Sequence, residues 1–354
     1  MKSILWFVLN ITLAFSLIFS SLNYAKYNNS SLKGKASSLA VENDSSLSKL
    51  TVKKYNYSNL NEIRRQNEEY ISKMLRERKF FPLGKRIVVA YAGMHYDAQK
   101  RPKIKEMISR LKDLGVNCYS YLIDSSPTED LAKLPEFCSL ASKAGIEVWV
   151  VLVPPTEEPG QKGMPDNLRY PPYGLNYVKW AKQISEISKE HKNLRLLMID
   201  DFAYNLKKFS LSYTKEIYHA LKSNNRNILF GITCYENQLG KSKFDLNSYK
   251  PYIEAVEWGY QSNSKFDTDY GISAKSLSYN IQDFRKAFPN NLLIPCIYFN
   301  PNSSWKREPT ADYLKDCISI AYKEAGIAFI YCTPDIGTEN YKIVKNFCRE
   351  KLIR

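Results

Sequence analysis

The chain has only three histidines in 354 residues, and no His-x-His pair sits on an apolar, strand-like run. Metal-dependent hydrolase barrels usually draw ligands from such pairs, so that chemistry lacks its donors here. No lysine lies inside the strand-like runs, which removes the nucleophile of a Schiff-base aldolase or a pyridoxal enzyme. There is no Walker loop and no G-x-S-x-G elbow, and the turn "YAGMHYDAQKRPK" lacks the glycines of a dinucleotide site. The seven cysteines have the spacing of neither a zinc site nor a disulfide framework. Cys118, Cys234, Cys296 and Cys332 fall in strand-like runs and Cys138, Cys317 and Cys348 in helical patterns, which suits small buried core residues with room for one bridge. Carboxylate chemistry, or no chemistry, is what remains; neither a metal nor a cofactor is expected.

Lys and Arg number 51 against 36 Asp and Glu, a formal net charge of +15. The cations are spread along the chain rather than clustered, so they read as solvated surface and no nucleic-acid partner is expected. Attraction to an anionic polymer or a membrane surface is permitted by this charge without being shown by it. The start, "MKSILWFVLNITLAFSLIFSSLNYA", joins Lys2 to an apolar run with imperfect cleavage sites after Ser21 and Ala25. Residues 1–25 are therefore expected to be an export signal, or else an uncleaved membrane tether, placing the folded part in a periplasmic or extracellular compartment. Residues 26–56, rich in Ser, Asn and Lys, read as a flexible tether. Residues 57–84 carry Leu60, Ile63, Tyr70, Ile71 and Met74 at helical spacing and predict a helix that packs on the domain C-terminal to it.

From residue 85 to 354 short apolar runs alternate with helical patterns. The runs are "RIVVAYAG", "VNCYSYLI", "IEVWVVLVPP", "LRLLMIDDF", "NILFGITCY", "IEAVEWGYQ", "LLIPCIYFN" and "GIAFIYCTP". Only the link between the fifth and sixth, "ENQLGKSKFDLNSYKPY", lacks a clear long helix. Strands buried on both faces and alternating with helices imply a parallel sheet, and eight such units predict an α/β protein of the (β/α)8 barrel type preceded by an N-terminal helix.

In such a barrel the strand C-termini form the site. Those ends carry Tyr91, His95 and Asp97; Tyr121 and Asp124; Pro155 and Glu157; Asp200 and Asp201; Tyr235 and Glu236; Trp258, Tyr260 and Gln261; Tyr298 and Asn300; Tyr331 and Thr333. Carboxylates with flat rings suit a glycan, since acids and bases act on the glycosidic oxygen and rings cover apolar sugar faces. The pair closing "NLRLLMIDDFAYN" stands out, because two like charges at the lip of a core raise the proton affinity of one, as a general acid requires. Alternatively one aspartate faces the cavity and the other caps the next segment. Glu236 is the best-placed second carboxylate by position. Glu257, in "VEWGYQ", either faces the barrel or pairs with a helix lysine. Tyr91, Tyr121, Trp258, Tyr260 and Tyr298 are candidate sugar contacts, as are Tyr235, Asn300 and Glu157, and His95 and Asp97 are spaced for a hydrogen-bonded pair. Trp149, in mid-strand, is assigned to the core.

The "IDDF" of the fourth run resembles the acidic signature of (β/α)8 glycoside hydrolases, especially O-GlcNAcase-type N-acetylhexosaminidases. The stretch from "VPPTEEPG" to "IDDF" resembles that of uncharacterised exported glycosidase-like barrels; residues 149–205 carry the similarity. The resemblance implies that Asp200 orients a 2-acetamido group acting as internal nucleophile and that Asp201 is the general acid/base. Two forms stay open: this substrate-assisted one, and one in which Asp200 or Asp201 works with a carboxylate from another strand. The expected partner is a poly- or oligosaccharide and the expected state a monomer. A non-catalytic carbohydrate-binding or scaffolding barrel at the cell envelope is the rival reading.

Overall fold

The computed structural model describes residues 57–78, 80–81, 84–156, 170–241, 244–260, 274–299 and 309–352. The expected export signal and tether, residues 1–56, lie outside this set. Helix α1 (Leu60–Glu77) comes first. The barrel then runs β1 (Ile87–Tyr91), α2 (Ile104–Leu114), β2 (Cys118–Ile123), α3 (Pro127–Lys143), β3 (Glu147–Leu152), α4 (Tyr177–Glu190), β4 (Leu194–Ile199), α5 (Leu211–Lys222) and β5 (Leu229–Thr233). It continues with β6 (Ala255–Tyr260), α6 (Ser276–Ala287), β7 (Leu292–Tyr298), α7 (Ala311–Ile320), β8 (Ile327–Tyr331) and α8 (Glu339–Lys351). Between β5 and β6 the described residues form 3-10 turns at Glu236–Gln238 and Asn247–Tyr249 instead of a long helix.

All eight strands are parallel and the ring is closed, with β1 pairing β8 through Ile87↔Ile327 to Ala90↔Ile330. The chain is a (β/α)8 barrel. Strands β1, β3 and β8 are runs of β-branched and aromatic residues buried on both faces, the environment in which such side chains outcompete helix formation. Helices start where polar caps allow: the side chains of Asn176, Ser210, Thr310 and Thr338 accept hydrogen bonds from the backbone amides of Lys179, Tyr213, Tyr313 and Tyr341.

The strands divide their residues between two cores. One face of each joins the helix layer; the other fills the barrel with Ile87, Val89, Cys118, Trp149, Val151, Leu196, Met198, Ala255, Ile294, Cys296 and Phe329. Trp149 stacks on Phe329 at a centroid distance of 6.3 Å, so the middle of the barrel is packed side chain rather than a pore. Its foot is closed by the end of α1 and the segment after it, since Met74, Phe80 and Phe81 join the same interior cluster. Gly326, at φ +76°, precedes β8 there, and a Cβ on it would meet the Phe81 ring at 2.8 Å. Polar contacts fix α1 as well: Asn67 donates to the buried Glu324 carboxylate at 2.8 Å and Ser278 donates to it at 2.9 Å.

Candidate active site

Alternation on β4 sends Leu196 and Met198 into the barrel, and ladder pairing continues one residue further through the Asp200 amide and the Leu152 carbonyl at 3.0 Å. Asp200 therefore points into the mouth. On β5 and β6 the pairs Ile199↔Ile232 and Thr233↔Glu257 place Thr233 and Glu257 in the same layer. The Thr233 hydroxyl donates to Glu257 Oε2 at 2.7 Å, and Thr233 also tempers the rise of the Asp200 carboxyl. Thr233 thus stands on the strand between those that carry the two carboxyls. Cys296, on β7, lies close enough to Glu257 to temper the rise of its carboxyl.

Glu257 is only 6% exposed, whereas Asp200 keeps a partly open surface. Burial, with the nearby Asp200 charge, pushes the Glu257 carboxyl up to about 8. Burial and the charge of Asp201 push Asp200 up to about 6, while the Asp201 amide, donating to Asp200 Oδ1 at 2.9 Å, opposes that rise. The two carboxyls are near enough to titrate as a pair, and burial raises Glu257 further than Asp200.

Asp201 does not continue the strand. Its φ of 43° turns the chain into the 3-10 segment Phe202–Asn205, where its carbonyl accepts from the Asn205 side chain at 2.9 Å. Ala92 after β1 (φ 52°) and Cys332 after β8 (φ 59°) share this left-handed geometry. Three strand ends around one mouth thus carry a conformation that costs non-glycine residues energy, and such strain tends to collect at functional sites. The β8–β1 side is also braced: Thr333 donates to the Ala92 carbonyl at 2.9 Å, and the buried Arg110 guanidinium donates to the Thr333 carbonyl at 2.7 Å and pairs with Asp335 at 2.9 Å.

The rings divide by strand phase. Tyr91, Tyr298 and Tyr331 line the upper interior, with centroids 4.3 Å apart for Tyr298 and Tyr331 and 5.5 Å for Tyr91 and Tyr331. Tyr298 leans across β6, where a Cβ on Gly259 would meet its ring at 2.6 Å. Tyr235 follows β5 close enough to feel the charges of Asp200, Asp201 and Glu257, and burial raises its pKa well above the ordinary tyrosine range.

Other expected site residues are placed elsewhere. Trp258 is fully buried on the outer face of β6 and stacks on Phe284 of α6 at 4.0 Å, so it is a helix-layer residue and not a sugar contact. Tyr260 shares that face and is 6% exposed. Tyr121 points outward from β2, packing on Phe137 at 5.0 Å and donating to the Asp130 carbonyl at 3.0 Å. The reason is common to all three: a one-residue step along a strand reverses the face. His95 and Asp97 do not pair with each other. His95 Nδ1 contacts Glu106 Oε1 at 2.7 Å, and Asp97 accepts from the Gln99 and Arg101 amides at 2.9 Å and pairs with Arg101 at 2.8 Å. Glu236 is exposed on the 3-10 turn after β5. Glu157, Gln261 and Asn300 lie outside the described residues, as do the loops following β3, β6 and β7 that carry them. Among the described residues no group of three His, Cys, Asp or Glu could hold a metal ion.

No protein-family model and no curated protein matches the chain. Solved structures do. A β-1,4-mannanase of glycoside hydrolase family 113 matches at 11% identity with a TM-score of 0.51, over 75% of this chain and 99% of that one. An exo-β-1,4-mannosidase from Opitutaceae bacterium strain TAV5 matches at 11% identity with a TM-score of 0.53, over 76% of this chain and 60% of that one. At this identity the likeness is one of fold: the barrel is built like those of glycoside hydrolases.

Proposed function

We propose that this chain cleaves glycosidic bonds with Asp200 as nucleophile and Glu257 as general acid and base, a retaining mechanism. The observation that carries the reading is the register that sets Asp200 and Glu257 in one layer of the mouth, on the strands either side of Thr233, with the Thr233 hydroxyl bonded to Glu257. The Asp200 charge raises the Glu257 carboxyl, which requires the two to be near each other, as the roughly 5–5.5 Å of a retaining pair demands. The direction of the shifts agrees: burial raises Glu257 further than Asp200, the order that an acid and a nucleophile need.

In the first step the Asp200 carboxylate bonds to the anomeric carbon while the Glu257 proton passes to the departing glycosidic oxygen. In the second, Glu257, now a carboxylate, takes a proton from water as that water attacks the anomeric carbon and releases Asp200. Asp201 acts through charge, holding the Asp200 proton affinity up. Tyr91, Tyr298 and Tyr331 form the wall against which the sugar lies. Glu257, inside the barrel, takes the partner role that strand order alone assigns to Glu236.

The test is hydrolysis of aryl glycosides and soluble polysaccharides by the full chain and by Asp200→Asn and Glu257→Gln, with the first-formed anomer read by NMR. Each variant is expected to lose about 10³-fold in kcat, within the 10²–10⁴ typical of acid–base groups, and the first product to keep the substrate's anomeric configuration. Wild-type turnover in both variants ends the proposal. Paired substrates with and without a 2-acetamido group separate this mechanism from the substrate-assisted one suggested by the "IDDF" resemblance, since only the latter requires the acetamide. Sugar affinity without any hydrolysis favours the binding-barrel reading.

A further inference from the structure

The 3-10 segment after β4 holds four residues, and three of them are anchored. Phe202 is fully buried and stacks on Phe209 at 4.8 Å with ring planes 8° apart. Ala203 is 2% exposed, and Asn205, 6% exposed, donates to Thr156 Oγ1 at 3.0 Å and to the Asp201 carbonyl at 2.9 Å. Tyr204 alone points out, 49% exposed. It does not dangle. Its ring rests on Tyr235 at 5.8 Å and meets Phe244 edge-on at 5.5 Å. Tyr235 is itself fixed, its amide donating to the Gln238 side chain at 2.8 Å, and its hydroxyl lies within the field of Asp200, Asp201 and Glu257. A large aromatic surface is thus held open to solvent by a rigid turn, one ring away from the carboxyl pair.

We propose that Tyr204, backed by Tyr235 and Phe244, is a stacking platform for a pyranose next to the one being cleaved, so that the site takes a neutral oligosaccharide chain rather than a lone monosaccharide. The identity of the ligand rests on the glycan-cleavage reading. A tyrosine ring offers a flat apolar face beside a polar edge, the complement of a pyranose with its C–H face and rim of hydroxyls. Holding that ring in place beforehand spares the ordering cost of binding. The neighbouring carboxylates Asp200 and Asp201 disfavour an acidic sugar at the same spot.

The experiment is isothermal titration of β-1,4-linked hexaoses of mannose, glucose and N-acetylglucosamine into the full chain carrying Glu257→Gln, which slows turnover and keeps both aspartates, with an oligogalacturonate hexamer as the acidic comparison. At least one neutral hexaose is expected to bind more tightly than the acidic one. Adding Tyr204→Ala is expected to weaken that binding about tenfold, the size of one aromatic contact. Tyr204→Phe, which keeps the flat face, is expected to stay within about twofold. Tyr204→Leu, apolar but not flat, is expected to follow Tyr204→Ala and covers the case in which the alanine variant fails to fold. If no neutral hexaose binds, or Tyr204→Ala and Tyr204→Leu bind like Tyr204, the platform is refuted; tighter binding of the acidic hexamer refutes the neutral class. A hexaose that binds through Tyr204 and is never cleaved by the wild-type chain upholds the platform and removes the cleavage reading, so the two failures are distinct.

Discussion

Glu257 is where function and stability pull in opposite directions. A carboxyl at 4.5 in the unfolded chain and about 8 in the folded one binds its proton more tightly in the native state. Between those two values the folded protein holds more protons than the unfolded, so stability falls as pH rises from about 4.5 to 8. Asp200, raised in the same direction, adds to that slope. Replacing Glu257 with the neutral isostere Gln keeps the shape and removes the titration. Relative to wild type, Glu257→Gln is therefore expected to gain stability steadily between pH 5 and 8, with a limiting slope of about 1.4 kcal/mol per pH unit, and to show little gain at pH 4.5. Urea unfolding midpoints across that range measure it. A constant difference between the two proteins at every pH would mean that this carboxyl is ionised in the folded state at all of them, and the acid role would fall with it. The same residue shows why the sequence hid the pair. "VEWGYQ" offers Glu257 and Trp258 as neighbours, and which of the two enters the barrel depends on strand phase, which composition does not carry. The doublet Asp200 and Asp201 was legible because it breaks an apolar run; a single Glu between Val and Trp breaks nothing.

Eight strands and the helices between them were legible because each element has its own period: short β-branched runs against helical spacing, bounded by caps such as Ser210 and Thr338. Even the missing long helix between β5 and β6 follows from a link rich in Lys, Asn, Ser and Gly. Phase was not legible, because a strand buried on both faces alternates nothing polar with nothing apolar. Hence Tyr121, Trp258 and Tyr260 read from sequence as mouth residues while β2 and β6 turn them into the helix layer. Gly259 marks the phase of β6: it is small because Tyr298 of the next strand lies over it. Gly259→Ala is expected to press its new Cβ on that ring, at a cost of about 1–3 kcal/mol of stability, the usual range for overpacking. Since Tyr298 is also in the field of Glu257 and Asp200, kcat is expected to fall by about tenfold or more while the protein remains folded. Urea unfolding and turnover measured on one preparation check both parts. Wild-type stability together with wild-type turnover would place the Tyr298 ring away from β6.

At the scale of the molecule, the amino-terminal segment and the thiols make a joint demand. None of the seven cysteines is held in a disulfide; six of them are buried and Cys332 is partly open. Burial pushes the thiols of Cys138, Cys234 and Cys348 up to about 12 and that of Cys332 to about 11, so little of the reactive thiolate exists near neutral pH. The described residues contain no helix long and apolar enough to cross a membrane, and residues 1–25, proposed to direct export or tether the chain, lie outside them. A chain sent to an oxidising compartment keeps seven thiols only if folding hides them before oxidation or disulfide exchange reaches them. The barrel is built to do this, because four of the thiols fall on or at the ends of strands and three in helices, most of them in its two apolar cores. Protein recovered from outside the cytoplasm is expected to begin after Ser21 or Ala25, or to remain membrane-bound with residues 1–25 intact. By thiol titration it is expected to show one slowly reacting group when folded, Cys332, and seven when denatured. Intact mass and Ellman titration together read the outcome. Chain found only in the cytoplasm overturns export, while fewer than seven thiols on denaturation would mean that a bridge forms in the cell and that these strands pack differently there.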